Sequence, residues 1–426
     1  MDNIILKGTE HTGIDDIALR KALEQSLEGF QGDLKKVLLL PPDFTRSHSM
    51  AGKITALYYE LLHGSCQVDI MPALGTHMPM TEEEIRAMFG PQIPLESFLV
   101  HDWRNDVVKI GEVPGDFVKE VSDGLVDFSI DVEVNKRLTD GSYDLILSIG
   151  QVVPHEVVGM ANYSKNVFVG CGGSNMINKT HFLGAVYGLE RMMGKDHSPV
   201  RKVFDYAQEK FAGDMSLVYV LIVTTQREGQ TSLDGLFIGR DRKVFEEAVA
   251  LSQVRNLDFM ERPLQKVVVF LDEKEFKSTW LGNKAIYRTR MAIADGGELL
   301  ILAPGVKQFG EDAQIDALIR KYGYVGRNKV LALTQENEDL LNNLSAAAHL
   351  IHGSSDGRFH ITYAVDKLTR EEVEGVNFRY MPLEEAYAKY HPDKLVDGFN
   401  VLEDGEEIFY VSNPALGLWV SRDRFE

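Results

Sequence analysis

Only two of the 426 residues are cysteines, Cys66 and Cys171. So few thiols exclude a disulfide-stapled scaffold and fit a reducing compartment, so the expected address is the cytoplasm. Neither CxxC nor HExxH occurs, and no conventional zinc site of three or four protein ligands is expected. Positive charge is also scarce: 45 Lys and Arg face 64 Asp and Glu, a formal net charge of −19. That balance excludes sequence-independent binding to nucleic acid, which needs clustered cations to displace counterions. No apolar run approaches the ~20 residues that span a bilayer, so no membrane partner is expected. The opening MDNIILKGTEHTG lacks the basic and then apolar regions of a signal peptide. There is no low-complexity tract and no solenoid repeat. What is present is an ordinary globular composition, 44% hydrophobic and 26% charged, in a chain too long for one hydrophobic core.

The apolar runs alternate with helical spacing. KKVLLLP (35–41) reads as a buried strand, GKITALYYELLH (52–63) as a helix and QVDIMPAL as the next strand, which together make a βαβ unit. Thr81 and Glu84 form a capping box for a helix ending at Phe89-Gly90-Pro91. SFLVHDW reads as a strand ending in His101 and Asp102, VDFSIDVEV and YDLILSIG as an antiparallel excursion and a return strand, and SLVYVLIVTT as a fully buried central strand. A helix over 241–255 precedes Pro263, where a domain boundary is expected. Beyond it KVVVFLD, a helix over 283–294, ELLILAP, a helix over 311–322, a strand at 329–334, a helix near 382–390 and the strand EEIFYVSN repeat the pattern. The expectation is two α/β domains, 1–264 and 265–426, with mainly parallel sheets, an active-site cleft between them, and a last segment able to pack back on the first domain.

The reactive side chains collect where strands end. Asp43-Phe44-Thr45-Arg46 follows the first strand, and an Arg there would anchor a carboxylate or phosphate with its planar fork. The same four residues would also serve as a capping Asp beside a surface Arg. His77 and His155 each follow a strand, and two imidazoles in one cleft could exchange protons with a substrate from two sides. His101 beside Asp102 reads more readily as a hydrogen-bonded structural pair. Lys165 lies ten residues after His155, and His181 sixteen after Lys165. Between them GCGGSN, with Gly172, Gly173 and Ser174, would let backbone amides approach an anion, although it lacks the GxGxxG of a dinucleotide site.

DFTR at 43–46, GTHMPMTEEE at 75–84, HD at 101–102 and the His155, Lys165, His181 spacing together resemble the nickel-dependent lactate racemase family. The resemblance runs through the N-terminal domain, with looser motifs beyond it. It implies a nickel pincer nucleotide, a pyridinium mononucleotide whose two sulfur arms and ring carbon bind Ni and leave one position for a protein imidazole. By position His181 would be that ligand, Lys165 the tether through a thioamide, His77 and His155 the acid/base pair. Asp43 and Thr45 would contact cofactor, and Arg46 would hold the substrate carboxylate. The implied reaction is inversion at C2 of a 2-hydroxy acid by proton-coupled hydride transfer. Cofactor biosynthesis proteins are implied partners, and a homo-oligomer is compatible.

The chain also departs from the family pattern. MANYSK replaces a segment richer in glycine with an Arg beside the lysine, and Ser47 stands where proline is common. In KAIYRTRM, Tyr287 fits the substrate pocket, but Arg288 and Met291 replace a Gln and a Lys. The expected substrate is a lactate-type acid or, the reading these changes and the hydroxyls, carboxylate and Arg of HGSSDGRFH (352–360) favour, a larger sugar acid such as an aldonate. The alternative is a noncatalytic ligand-binding or regulatory protein that keeps the fold.

Overall fold

The computed structural model describes residues 2–9, 11–30, 34–227, 230–415 and 417–425. The chain forms two compact units, Met1–Thr180 with Met192–Asn256, and His181–Arg191 with Leu257–Glu426. The 1–264 and 265–426 division read from the sequence stands as a proposal about folding units.

The first unit is built on a six-stranded sheet in the order Ile4–Lys7, Gln230–Gly239, Leu217–Arg227, Leu145–Gln151, Lys36–Leu40, Gln67–Ile70. The last four strands are mutually parallel. Val37 to Leu40 and all of Leu145–Gln151 are buried, as expected of strands covered on both faces. The helix Ala51–Leu62 buries Ile54, Thr55, Tyr58 and Leu62, a stripe at helical spacing that packs against this sheet. The helix Glu82–Phe89 starts at the expected capping box: Thr81 Oγ1 accepts from Glu84 N–H, and the Glu84 carboxylate accepts from Thr81 N–H at 2.8 Å.

The second unit repeats the architecture with a sheet ordered Arg379–Pro382, His360–Val365, Ile293–Leu302, Leu264–Phe270, Glu407–Val411, Gly398–Val401. All its pairs are parallel except the last. The final segment joins this sheet through Glu407–Val411. The α/β class with mainly parallel sheets is therefore the observed one.

Three expectations fail. SFLVHDW is not a strand; Phe98 makes a single bridge to Ile70, and the chain then turns. The run at 329–334 lies inside the helix Arg327–Glu336, where Val330 and Thr334, four residues apart, are the buried face. Period four, not alternation, was the informative signal there. The expected 283–294 helix is shorter, Lys284–Thr289, because the chain enters the strand Ile293–Leu302.

Candidate active site

In the first unit, the carboxyl ends of the parallel strands carry the chemistry, as in other open α/β sheets. After Lys36–Leu40, Asp43 is buried at 6% exposure. Its Oδ1 accepts from Thr45 Oγ1 at 2.5 Å, and its Oδ2 meets His77 Nδ1 at 2.6 Å. Burial opposes ionisation of this carboxyl, but His77, Thr45 and the nearby Arg46 outweigh it and hold it below the ordinary carboxylate range. An ionised Asp43 can only accept, so His77 carries its proton on Nδ1 and offers the Nε2 lone pair. Among the described residues no carboxylate lies within 4.0 Å of the Arg46 guanidinium.

His155 is set differently. It lies in the two-residue strand Pro154–His155, paired with Gly159–Met160, and its Nδ1 accepts the Val157 N–H at 3.1 Å. A neutral ring so held bears its proton on Nε2. Gly159 is required in that ribbon: its φ is 86°, and a Cβ would collide with the Lys195 carbonyl.

The approach to Lys165 explains the glycine-poor departure in the sequence. Asn162 and Tyr163 both lie in the left-handed region, at φ 63° and 55°, conformations that glycine adopts without strain. Here side chains hold the turn instead. Arg201, fully buried, donates to Ser164 Oγ at 2.7 Å, Met160 O at 2.7 Å and Asn162 O at 3.1 Å. The Tyr163 ring stacks on Phe245 at 4.9 Å, and its hydroxyl accepts from Gln208 at 2.8 Å. Arg201 itself is fixed by the helix Pro199–Phe211, which opens with Ser198 as N-cap and proline at the first position. Lys165 then leads into a π-helical turn, Asn166–Gly170. Asn166 ties that turn to the sheet by donating to Leu40 O and Ser148 Oγ, both at 3.0 Å, and Gly170 O accepts from Gly75 N–H at 2.8 Å, close to His77.

Lys165 is partly open at its surface, yet protein surrounds it densely enough that burial, reinforced by Arg46, pushes its amine down to about 8. An amine so depressed has a nucleophilic neutral fraction at neutral pH.

In the GCGGSN turn, expected to cradle an anion, backbone amides meet the protein's own groups. Gly173 N–H donates to Glu133 O at 3.3 Å, Asn175 N–H donates to the Glu133 carboxylate at 3.0 Å, and that carboxylate packs against Gly173. Gly172 N–H donates to Val169 O at 3.3 Å, so the amides of Gly172 and Gly173 are both engaged within the protein. His101 is buried but is not paired with Asp102, whose carboxylate accepts from Arg104 N–H and Asn105 instead. The His101 Nε2–H donates to Gly172 O at 3.1 Å, its Nδ1 accepts from Asn135 at 3.0 Å, and burial lowers its basicity.

His181, Tyr287 and Arg288 belong to the second unit. His181 lies on the helix Ser174–Tyr187 and is partly buried. Tyr287 and Arg288 sit on Lys284–Thr289 and are buried at 6% and 3% exposure. The Tyr287 hydroxyl bonds His349 Nδ1 at 3.0 Å, and Tyr324 OH lies 2.9 Å from the other His349 nitrogen. Burial pushes the His349 imidazole down to about 3, which keeps it neutral.

Sequence reasoning missed Arg201, Asn166 and His349. Arg201 and Asn166 act through loops distant in sequence, and no local motif marks them. The two positive-φ residues carried the one legible signal, a place where glycine would be expected.

Among the described residues no three His, Cys, Asp or Glu side chains come together as a metal cage.

Comparison with known proteins gives a sequence match over part of the chain and likenesses to solved structures. Residues 6–192 match the lactate racemase N-terminal domain model. A crystal structure of a protein from Thermotoga maritima superposes with a TM-score of 0.81 at 24% identity, covering 97% of this chain and 99% of that one. The lactate racemase apoprotein from Thermoanaerobacterium thermosaccharolyticum superposes with a TM-score of 0.68 at 16% identity, covering 94% and 92%. These likenesses are of fold. No curated protein sequence matches the chain. Over residues 6–192 the chain matches the lactate racemase N-terminal domain, and over most of its length it shares the fold of the lactate racemase apoprotein.

Proposed function

We propose that the protein is a racemase or epimerase that inverts C2 of a 2-hydroxy acid. The observation that carries the reading is the buried Asp43 holding His77 through Nδ1, which leaves Nε2 to accept, in the same unit as an amine depressed to about 8 at Lys165. A nickel pincer nucleotide would supply the hydride acceptor, held through Lys165 with His181 as the protein ligand.

The chain's own residues divide the remaining work. Arg46, with no carboxylate partner among the described residues, would bind the substrate carboxylate. His77 Nε2 would take the 2-hydroxyl proton, and Asp43 would stabilise the imidazolium so formed. His155, whose neutral ring carries a proton on Nε2, would supply the proton that re-forms the hydroxyl. The neutral pair thus begins with one acceptor and one donor. Tyr287 and Arg288 would shape the substrate pocket, and Arg288, at the place of a shorter neutral side chain, favours a larger acid, with an aldonate as the leading candidate. Cofactor biosynthesis proteins and a homo-oligomer are the proposed partners. No helix among the described residues is long and apolar enough to cross a membrane, and cytoplasmic residence is part of the proposal.

The test is to express the protein with the cofactor biosynthesis proteins, verify nickel and a mass adduct on Lys165, and incubate it with single enantiomers of lactate and aldonates. Chiral chromatography should show the second epimer. A fully loaded protein that inverts none of them would make the noncatalytic reading the better one.

A further inference from the structure

The second unit contains a cavity of about 920 Å³. Six Lys and Arg and three Asp and Glu line it, an excess of three positive charges in a chain whose net charge is −19. Arg191 lies over the Tyr187 ring at 3.7 Å, and the other five cations fall into two groups. Arg290 and Arg358 are structural: each binds Glu190 at 2.8 Å, and Arg358 also pairs with Asp295 at 2.9 Å. Arg327, Lys329 and Arg379 are not used in this way, since among the described residues no carboxylate lies within 4.0 Å of their charged groups.

Their placement works against local stability. Arg327 and Lys329 occupy the first turn of the helix Arg327–Glu336, which has no acidic residue there and an N-cap, Gly326, without a side chain. Cations at a helix N-terminus oppose its macrodipole, so a sequence shaped only by helix stability would place acids in that turn. Arg379 adds a third charge from the edge strand Arg379–Pro382. Close packing brings the elements together: Gly188, at φ 109°, lies where a Cβ would be 3.6 Å from Arg327 Nη1, and Asp356 accepts the Arg327 N–H at 2.7 Å. Lys329 and Arg379 are exposed, and their charges are available to a ligand.

We propose that this cavity binds a small polyanion, a molecule bearing two or more negative charges, through Arg327, Lys329 and Arg379. Three cations that line one cavity with no carboxylate among the described residues within 4.0 Å of their charged groups suit phosphate-ester or polycarboxylate oxygens, which accept charge-assisted hydrogen bonds. A monoanion would gain little, because Glu190 and Asp356 line the same space. The volume falls in the range of small-molecule sites and exceeds what a three-carbon acid fills. The site lies wholly within the second unit and does not depend on the racemase reading.

Titration calorimetry on the full chain with inorganic pyrophosphate, citrate and acetate tests this. Saturable binding of pyrophosphate or citrate near one per chain, weakening with salt and absent for acetate, is expected; the anion that binds identifies phosphate or carboxylate chemistry. The exposed double substitution Lys329→Gln with Arg379→Gln should weaken binding about tenfold or more while leaving the melting temperature in place. Arg327→Gln should weaken it independently. No saturable binding at millimolar anion, acetate binding as tightly, or unchanged affinity in these variants would overturn the proposal.

Discussion

Replacing Asp43 by Asn tests the arrangement at His77 most sharply. The carboxylate accepts two hydrogen bonds, from Thr45 at 2.5 Å and His77 at 2.6 Å, and the amide keeps the shape while removing the charge. An Asn side chain can place its NH₂ toward His77 Nδ1, which then becomes an acceptor and moves the ring proton to Nε2. The basic nitrogen is lost without loss of the imidazole. Positioned general acid–base catalysis contributes about 10²–10⁴-fold, or about 3–5 kcal/mol, so turnover of the loaded enzyme should fall within that range with little change in KM. Nitrogen-15 NMR of the His77 ring should report Nδ1–H in the parent and Nε2–H in the variant. The acid limb of stability should also change. A carboxyl held below its unfolded value stabilises the fold above the unfolded pKa and loses that contribution as pH falls through the folded one, so Asp43→Asn should flatten the decline below about pH 4. Near-parental turnover, or the same ring tautomer in both proteins, would refute the reasoning.

Other predictions follow from the same geometry. A lysine depressed to about 8 destabilises the fold when protonated, and the penalty fades as pH rises from about 8 towards the unfolded value near 10.4. Lys165→Met should therefore melt higher than the parent at pH 7, with the gap narrowing by pH 10; a constant gap would contradict a perturbed amine. Arg201→Met strands three acceptors, Ser164 Oγ, Met160 O and Asn162 O, and should cost about 3 kcal/mol or more in denaturant unfolding. Thr81→Ala removes the capping box and should cost about 1 kcal/mol with turnover unaffected.

Much of the fold was legible because buried parallel strands announce themselves as unbroken apolar runs, as in KVLLL and LILSIGQ. The strand Val107–Val113 was missed because it pairs in a small two-stranded ribbon with mostly exposed residues, and its sequence carries no long apolar signal. The helix at Arg327–Glu336 was misread since VLAL alone does not distinguish a short strand from a helix. In the site, Asp43 and His77 could be picked out from their positions after strands, and Lys165 from its spacing to His155 and His181. Glu133 filling the glycine turn could not, because its carboxylate arrives from a strand forty residues earlier in the chain. Arg201 was hidden for the same reason: it supports a strained turn from another helix, and strain is a property of φ, not of composition.

The central claim is inversion at C2 by hydride transfer with His77 and His155 moving only the hydroxyl proton. The direct measurement follows a 2-deuterated single-enantiomer 2-hydroxy acid, incubated in ordinary water with the nickel- and cofactor-loaded protein and analysed by chiral chromatography and mass spectrometry. The account predicts the opposite epimer with its deuterium retained, and loss of inversion in both His77→Gln and His155→Gln. Inversion with deuterium washed into solvent, or inversion that survives loss of either histidine, would contradict it.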